Sequence, residues 1–242
     1  MRCLPVVAIG IPFRNAEKTL MDAIRSIFAQ TIREWELFLV DDGSTDRSLE
    51  IAQDVRDPRV HVVSDGCNRT LAPRLNQISW MASAPLLARM DADDLMHPAR
   101  LEKQVAFLEK KPEVDVVGTA MVSVDSTLRP RGKGGAVFHH PSPFSISLRG
   151  LFIHPSVTGR TSWFRQNPYC EDDWAVRAED YELWLRTSRY SVFGHIPEQL
   201  LFYREDSGNI KERLESSHRS MLQVLERLGH LGLEPVERRL VR

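Results

Sequence analysis

Short apolar runs alternate with amphipathic stretches over about the first 110 residues, and a layered α/β sheet is the architecture that satisfies this order. Residues 6–11 (VVAIGI) form an unbroken, largely β-branched run of the kind buried on both faces of a parallel sheet, and Pro12 ends it. Leu20, Ile24, Ile27 and Phe28 then fall on one helical stripe, with Asn15 as the expected cap. Residues 35–40 (WELFLV), 60–63 (VHVV) and 86–90 (LLARM) read as further strands. Helices marked by Leu49, Ala52 and Val55, and by residues 71–82, separate them. The pattern predicts a mainly parallel, doubly wound, Rossmann-like sheet flanked by helices.

Beyond Pro112 the pattern loosens. Residues 115–124 are strand-like, the basic, Gly-rich stretch 129–135 (RPRGKGG) reads as a mobile loop, and residues 153–157 and 161–164 suggest a returning strand and turn. Residues 211–228 carry Leu214, Met221, Leu222, Leu225 and Leu228 among charges, an amphipathic helix whose ordinary role is to pack on the domain. The basic end ERRLVR adds a feature of the kind that touches anionic lipid.

Charge patterning narrows the ligands. A formal net charge of -1 gives no broad field for a polyanion, so nucleic acid is not expected and any phosphate binding must be local. Cys3, Cys67 and Cys170 are too few and too far apart for a disulfide framework or a cysteine zinc site, which suits a reducing cytoplasm. With no signal-like start and no apolar run of about 18 residues, the expected location is cytoplasmic, with at most peripheral contact with the inner membrane.

The sharpest local feature is the strand at 86–90 running directly into Asp91, Asp93 and Asp94. Open α/β sheets bind ligands beyond the carboxyl ends of their strands, and carboxylates gathered there suit Mg²⁺ or Mn²⁺ shared with substrate phosphates. The plainer reading is that Asp93 or Asp94 caps the next helix. Asp41 and Asp42 repeat the arrangement after the second strand, where a carboxylate can accept hydrogen bonds from a nucleobase or ribose or can cap a helix. Arg74, on the third helix, is placed either to face a diphosphate or to sit in solvent. The first strand-to-helix turn lacks G-x-G-x-x-G, so a dinucleotide is not indicated. Asp180, before a helix carrying Leu183 and Trp184, is locally better explained as a cap than as a general base.

Residues 11–17 (IPFRNAE), 26–31 (SIFAQT), 40–46 (VDDGSTD), 90–94 (MDADD) and 178–186 (AEDYELWLR) together resemble the family 2 glycosyltransferases over roughly residues 5–205. The resemblance implies a GT-A fold over residues 1–210. Residues 1–112 would be its nucleotide-binding half, 113–210 an elaborated acceptor-binding half, and 211–242 an appended helix and tail. It also implies a nucleotide-sugar donor, commonly a UDP-sugar, a Mn²⁺ or Mg²⁺ cofactor, inversion at the anomeric carbon, and a glycan or lipid-linked acceptor in polysaccharide or glycolipid synthesis. By the same resemblance Pro12, Arg14 and Glu17 lie along the nucleotide, Asp42 meets the base, Asp91 reaches the ribose or metal, and Asp93 holds the metal. Asp180 matches the catalytic base, which reverses the local preference for a cap.

Two departures stand out. Arg14 occupies a position where the family often has Tyr or a small residue, and residues 205–208 (EDSG) stand where many members place a His. The alternatives are a sugar nucleotidyltransferase, for which the Gly-rich phosphate loop is missing after the first strand, and a catalytically silent nucleotide-sugar-binding scaffold. His139, His140 and His154 are candidates for the acceptor cleft, against the commoner role of solvated or structural histidines.

Overall fold

The computed structural model describes residues 4–135, 142–205 and 210–228. Strand β1 (Val7–Phe13) is buried along its whole length, as its apolar composition requires. It pairs in parallel with β2 (Trp35–Asp41) on one side and β4 (Leu86–Arg89) on the other, and β3 (Val60–Ser64) extends the sheet beyond β2. The short β8 (Thr158–Arg160) runs antiparallel to both β4 and β6 (Val116–Val124) and joins this parallel half to a mixed one. There β6 pairs in parallel with β9 (Phe193–Arg204), which also carries β5 (Leu95–Met96) antiparallel. The continuous order is β3-β2-β1-β4-β8-β6-β9-β5.

Side-chain alternation along the strands divides the core between two faces. Val7, Ile9, Ile11, Leu37 and Leu39 pack against α1 (Leu20–Phe28) and α4 (Arg100–Lys110). Ala8, Phe38, Val40 and Leu87 pack towards α3 (Leu71–Met81), α6 (Thr161–Gln166) and α7 (Glu179–Thr187). Gly10 lets α3 approach β1 closely, since a Cβ there would lie 2.7 Å from Ile78 Cγ2. Gly10→Ala should therefore lower stability by about 1–3 kcal/mol through overpacking, read as a lower urea midpoint with an unchanged slope.

Several local expectations change. Asn15 is not a helix cap: α1 begins at Leu20 behind Thr19, whose side chain makes no capping bond. Asn15 instead adopts a positive φ of 52° and accepts a 2.8 Å hydrogen bond from the Thr45 N–H, tying the first two strand-to-helix turns together. The stretch 129–135 is not a free loop, because Pro130–Gly134 forms β7, antiparallel to β6. The turn before it is fixed by Asp125, which accepts from the backbone N–H of Thr127 and Arg129. Residues 153–157 hold a 3-10 turn, His154–Ser156, rather than a strand. The strand is the following β8, and residues 161–164 lie in α6.

Helix α8 (Ile210–Leu228) follows the amphipathic pattern, with Val224 fully buried. It packs against α7 and the 3-10 turn Asp173–Ala175, and Arg227 lies 5.0 Å from the Trp174 ring centroid. The ERRLVR end, His139 and His140 lie outside the described residues. Among the described residues no helix is long and apolar enough to cross a membrane.

Candidate functional site

An open cleft of about 1000 Å³ lies beyond the carboxyl ends of β1 and β4, lined in part by Pro12, Arg14, Glu17, Asp91 and Asp93. Five of the residues singled out from sequence thus meet in one cavity, because adjacent parallel strands end on the same side of the sheet.

Asp91 follows β4 and is gripped by Arg89, whose guanidinium approaches both carboxylate oxygens at 2.6 and 3.0 Å. Arg89 is only 5% exposed, whereas the Asp91 side chain stays 31% open, so the clamp is buried on the arginine side and leaves the carboxylate accessible from the cleft. Its position inside an apolar strand was the available signal for a structural ion pair, but its partner could not be read from it. Asp93 lines the cleft, and desolvation of its carboxyl group by the surrounding protein, then the charge of Asp91, raises its pKa. Asp94 is buried: Oδ1 accepts from the Arg204 N–H at 2.9 Å, whereas Oδ2 has no hydrogen-bond partner among the described residues. Burial, followed by Asp91 and Asp93, pushes its pKa up to about 8. Neither Asp93 nor Asp94 caps α4, whose cap position is Ala99.

Ligand oxygens of Asp91, Asp93 and Asp94 all lie within 4.8 Å of one another. Three mutually repelling carboxylates, one with a buried oxygen left unpaired, form a hard-oxygen donor set that fits Mg²⁺ or Mn²⁺.

Asp42 lies behind the cleft wall, its N–H bonded to the Phe13 carbonyl at 2.8 Å. Its carboxylate accepts from the Arg69 and Thr70 N–H groups at 2.7 and 3.2 Å and from Arg74 Nε at 3.0 Å. The expectation that Arg74 faces a diphosphate needs correction. Its side chain is 0% exposed, and its N–H groups are engaged by Asp42, Asp65, Gln77 and the Cys67 carbonyl. With no donor left over, Arg74 braces Asp42 and the loop before α3. The guanidinium in turn holds the Asp65 carboxyl well below the usual carboxylate range.

Glu17 accepts from the Arg47 N–H at 3.3 Å and donates its own N–H to Asp46, so the β1 turn is pinned to the β2 turn. Asp41 serves the same turn by accepting from the Ser44 N–H and the Ser64 hydroxyl.

Asp180 is the second residue of α7 and is not its cap, a position held by Ala178. The half-buried carboxyl has a raised pKa because of burial, partly offset by the Tyr181 N–H and by Arg89. It does not line the main cleft. Its neighbour Glu179 borders a side pocket of about 230 Å³, and Arg177 lines both cavities. Ligand atoms of His154, Glu179 and Asp180 lie within 4.8 Å of one another. Burial, and secondarily Arg89, keeps His154 neutral, with Nε2 2.9 Å from the Tyr169 hydroxyl.

Glu179 was not singled out from sequence. Burial first, then Asp180, pushes its pKa from 4.5 to about 7. Between those values the folded protein binds more protons than the unfolded chain, so this group's contribution to stability falls as pH rises through the window. His154 slopes the other way below its ordinary value, which makes a difference measurement necessary. Glu179→Gln should match wild type near pH 4.5 and gain on it up to pH 7, by at most roughly 3 kcal/mol in urea melts, from the rise of 4.5 to about 7 at about 1.36 kcal/mol per pH unit. A pH-independent difference would contradict this.

The model for "Glycosyl transferase family 2" matches residues 8–171. The curled, mixed sheet is shared with solved GT-A structures: TarS of S. aureus in complex with UDP-GlcNAc aligns with a TM-score of 0.72 at 18% identity, covering 97% of this chain and 70% of that one. The mannosyltransferase PcManGT of Pyrobaculum calidifontis, in complex with GDP-Man and Mn²⁺, aligns at 0.72 with 16% identity, covering 99% and 68%. EpsE of Bacillus subtilis (strain 168), assigned to the glycosyltransferases, is 37% identical over 216 residues, 86% of this chain and 76% of EpsE. The chain belongs to glycosyltransferase family 2.

Proposed function

We propose that the protein transfers a sugar, with inversion, from a UDP-sugar to a hydroxyl of a glycan or lipid-linked acceptor in polysaccharide or glycolipid synthesis. In this reading residues 1–112 carry the donor and residues 113–210 shape the acceptor site. The observation that carries it is the convergence of Asp91, Asp93 and Asp94 on one point at the edge of a cleft lined by Pro12, Arg14 and Glu17. The UDP-GlcNAc bound to TarS and the GDP-Man and Mn²⁺ bound to PcManGT support a nucleotide-sugar and a divalent cation.

Asp93 and Asp91 would hold Mn²⁺ or Mg²⁺, which stabilises charge developing on a leaving diphosphate. Arg89 fixes the orientation of Asp91. Pro12, Arg14 and Glu17 would border the nucleotide, and Asp42, braced by Arg74 behind the cleft wall, would meet the base through the acceptor capacity that its hydrogen bonds leave free. Asp180 accepts the proton of the acceptor hydroxyl as that oxygen attacks the anomeric carbon opposite the diphosphate, and one displacement inverts the centre. Burial of Asp180 raises its proton affinity, which suits a base.

Calorimetric titration with UDP, with and without Mn²⁺, tests the donor site. Wild type should bind UDP only with the cation, and Asp93→Ala should abolish that cation-dependent binding. Cation-independent UDP binding by both proteins would remove the metal from the reading, and binding of GDP in place of UDP would change the base.

A further inference from the structure

Of the cations that line the cleft, Arg14, Lys18, Arg177 and Arg204, only Arg14 has a role in the scheme above. Arg177 stands between the turn Asp173–Ala175 and α7, is exposed, and borders both the cleft containing Asp91 and Asp93 and the side pocket walled by Glu179. Among the described residues its guanidinium has no hydrogen bond, ion pair or ring partner, although Glu171 and Glu179 line the same side pocket. Arg204, also in the cleft lining, is held in place but not saturated: Nε donates to the Asp93 carbonyl at 2.9 Å and Nη1 to the Ser126 carbonyl at 3.0 Å, while Nη2 lies 3.7 Å from Asp22 and has no hydrogen-bond partner among the described residues.

Arg177 also has a φ of +68°. Side chains other than those of Asn and Asp avoid this left-handed region because Cβ crowds the following carbonyl. Glycine would make the same turn without strain. The backbone is held on both sides: the Ala178 N–H donates to the Ala175 carbonyl at 2.9 Å, Trp174 Nε1 donates to Asp172 at 2.8 Å, and α8 packs behind the turn. A strained, anchored backbone thus presents an unpaired guanidinium at the junction of the metal-ligating carboxylates and the helix that bears Asp180. Strain kept at such a place is a pointer to function.

We propose that Arg177 binds the phosphate oxygens of the donor's diphosphate, an inference that rests on the nucleotide-sugar reading given above. A guanidinium offers two parallel donors matched to a phosphate, and charge assistance makes these bonds strong. In the transfer, the bond from the anomeric carbon to the diphosphate oxygen breaks with its electron pair moving to that oxygen. The acceptor oxygen forms the new bond, and its proton passes to Asp180. Arg177, which lines the same cleft as Asp91 and Asp93, neutralises charge on the departing diphosphate.

The test uses the full chain with Mn²⁺, titrated with UDP by calorimetry and with uridine by ligand-observed NMR. Arg177→Gln should weaken UDP binding by about 10- to 100-fold and leave uridine unchanged, and Arg177→Lys should recover part of the loss. Arg177→Gly should lose UDP affinity to the same extent while melting no lower than wild type, because glycine relieves the positive φ. Equal UDP affinity in wild type and Arg177→Gln would overturn the proposal. So would weakened uridine binding, which marks a distorted site, or a raised KM confined to a phosphate-bearing acceptor. Failure of the wild type to bind any nucleoside diphosphate is a different result: it removes the nucleotide-sugar reading itself, and the proposal with it.

Discussion

Asp180→Asn should cut kcat by about 10²- to 10⁴-fold, the usual worth of a positioned general base, with UDP affinity unchanged. Asparagine has nearly the shape of aspartate and keeps a side-chain carbonyl for the Tyr181 N–H at the start of α7, so the helix should survive the change. What it lacks is basicity. Because Asp180 lies outside the lining of the main cleft, the nucleotide should bind as before, and the defect should appear in kcat rather than in donor KM. Single-turnover transfer under saturating donor measures it. Near-normal turnover would remove Asp180 as the base and shift attention to Glu179, whose carboxyl lies within 4.8 Å and has a pKa of about 7. A Glu179→Gln enzyme in the same assay separates the two carboxylates.

Arg74→Met is expected to lower folding stability by about 3 kcal/mol, the low end of the cost of breaking a buried ion pair from one side. Methionine fills much of the volume, so the loss is electrostatic rather than a cavity. Asp42, with a side chain 11% exposed, keeps its two backbone N–H bonds but loses its cation, and Asp65, at 34%, can recover hydration. That difference in exposure is why the low end applies. The β3-to-α3 loop should loosen first, since Arg74 also holds the Cys67 carbonyl, and amide exchange at residues 65–70 should quicken more than exchange in β1. UDP affinity should fall too, through displacement of Asp42. A variant as stable as wild type with protected loop amides would contradict the bracing role.

Both predictions rest on features of different legibility. The acidic ends of β2 and β4 could be read directly, because a buried strand announces itself by an apolar run and its carboxyl end is where the polar residues begin. The proposed base, Asp180, is 87 residues beyond Asp93 in a segment where a carboxylate at a helix start has an ordinary explanation, and the family motif tipped the choice. Arg74 illustrates the opposite case. An arginine on a helix looks the same in sequence whether it faces a ligand, solvent or the core, and only the loop bearing Asp65 and Cys67 closes around it. β7 was hidden for a similar reason: RPRGKG has little strand propensity, and its pairing comes from the edge of β6 and the turn that Asp125 organises.

The amino-acid sequence by itself therefore determined the parallel half of the sheet, the family, and five of the residues that ring the cleft. These follow from period, punctuation and motif, which are local. Only the tertiary structure decided that Arg89 clamps Asp91, that Arg74 is a brace, that burial pushes the Glu179 pKa up to about 7, and that Arg177 faces two cavities with no partner among the described residues. Each of these depends on which distant groups share a volume from which water is excluded, and that information exists only once the chain has folded.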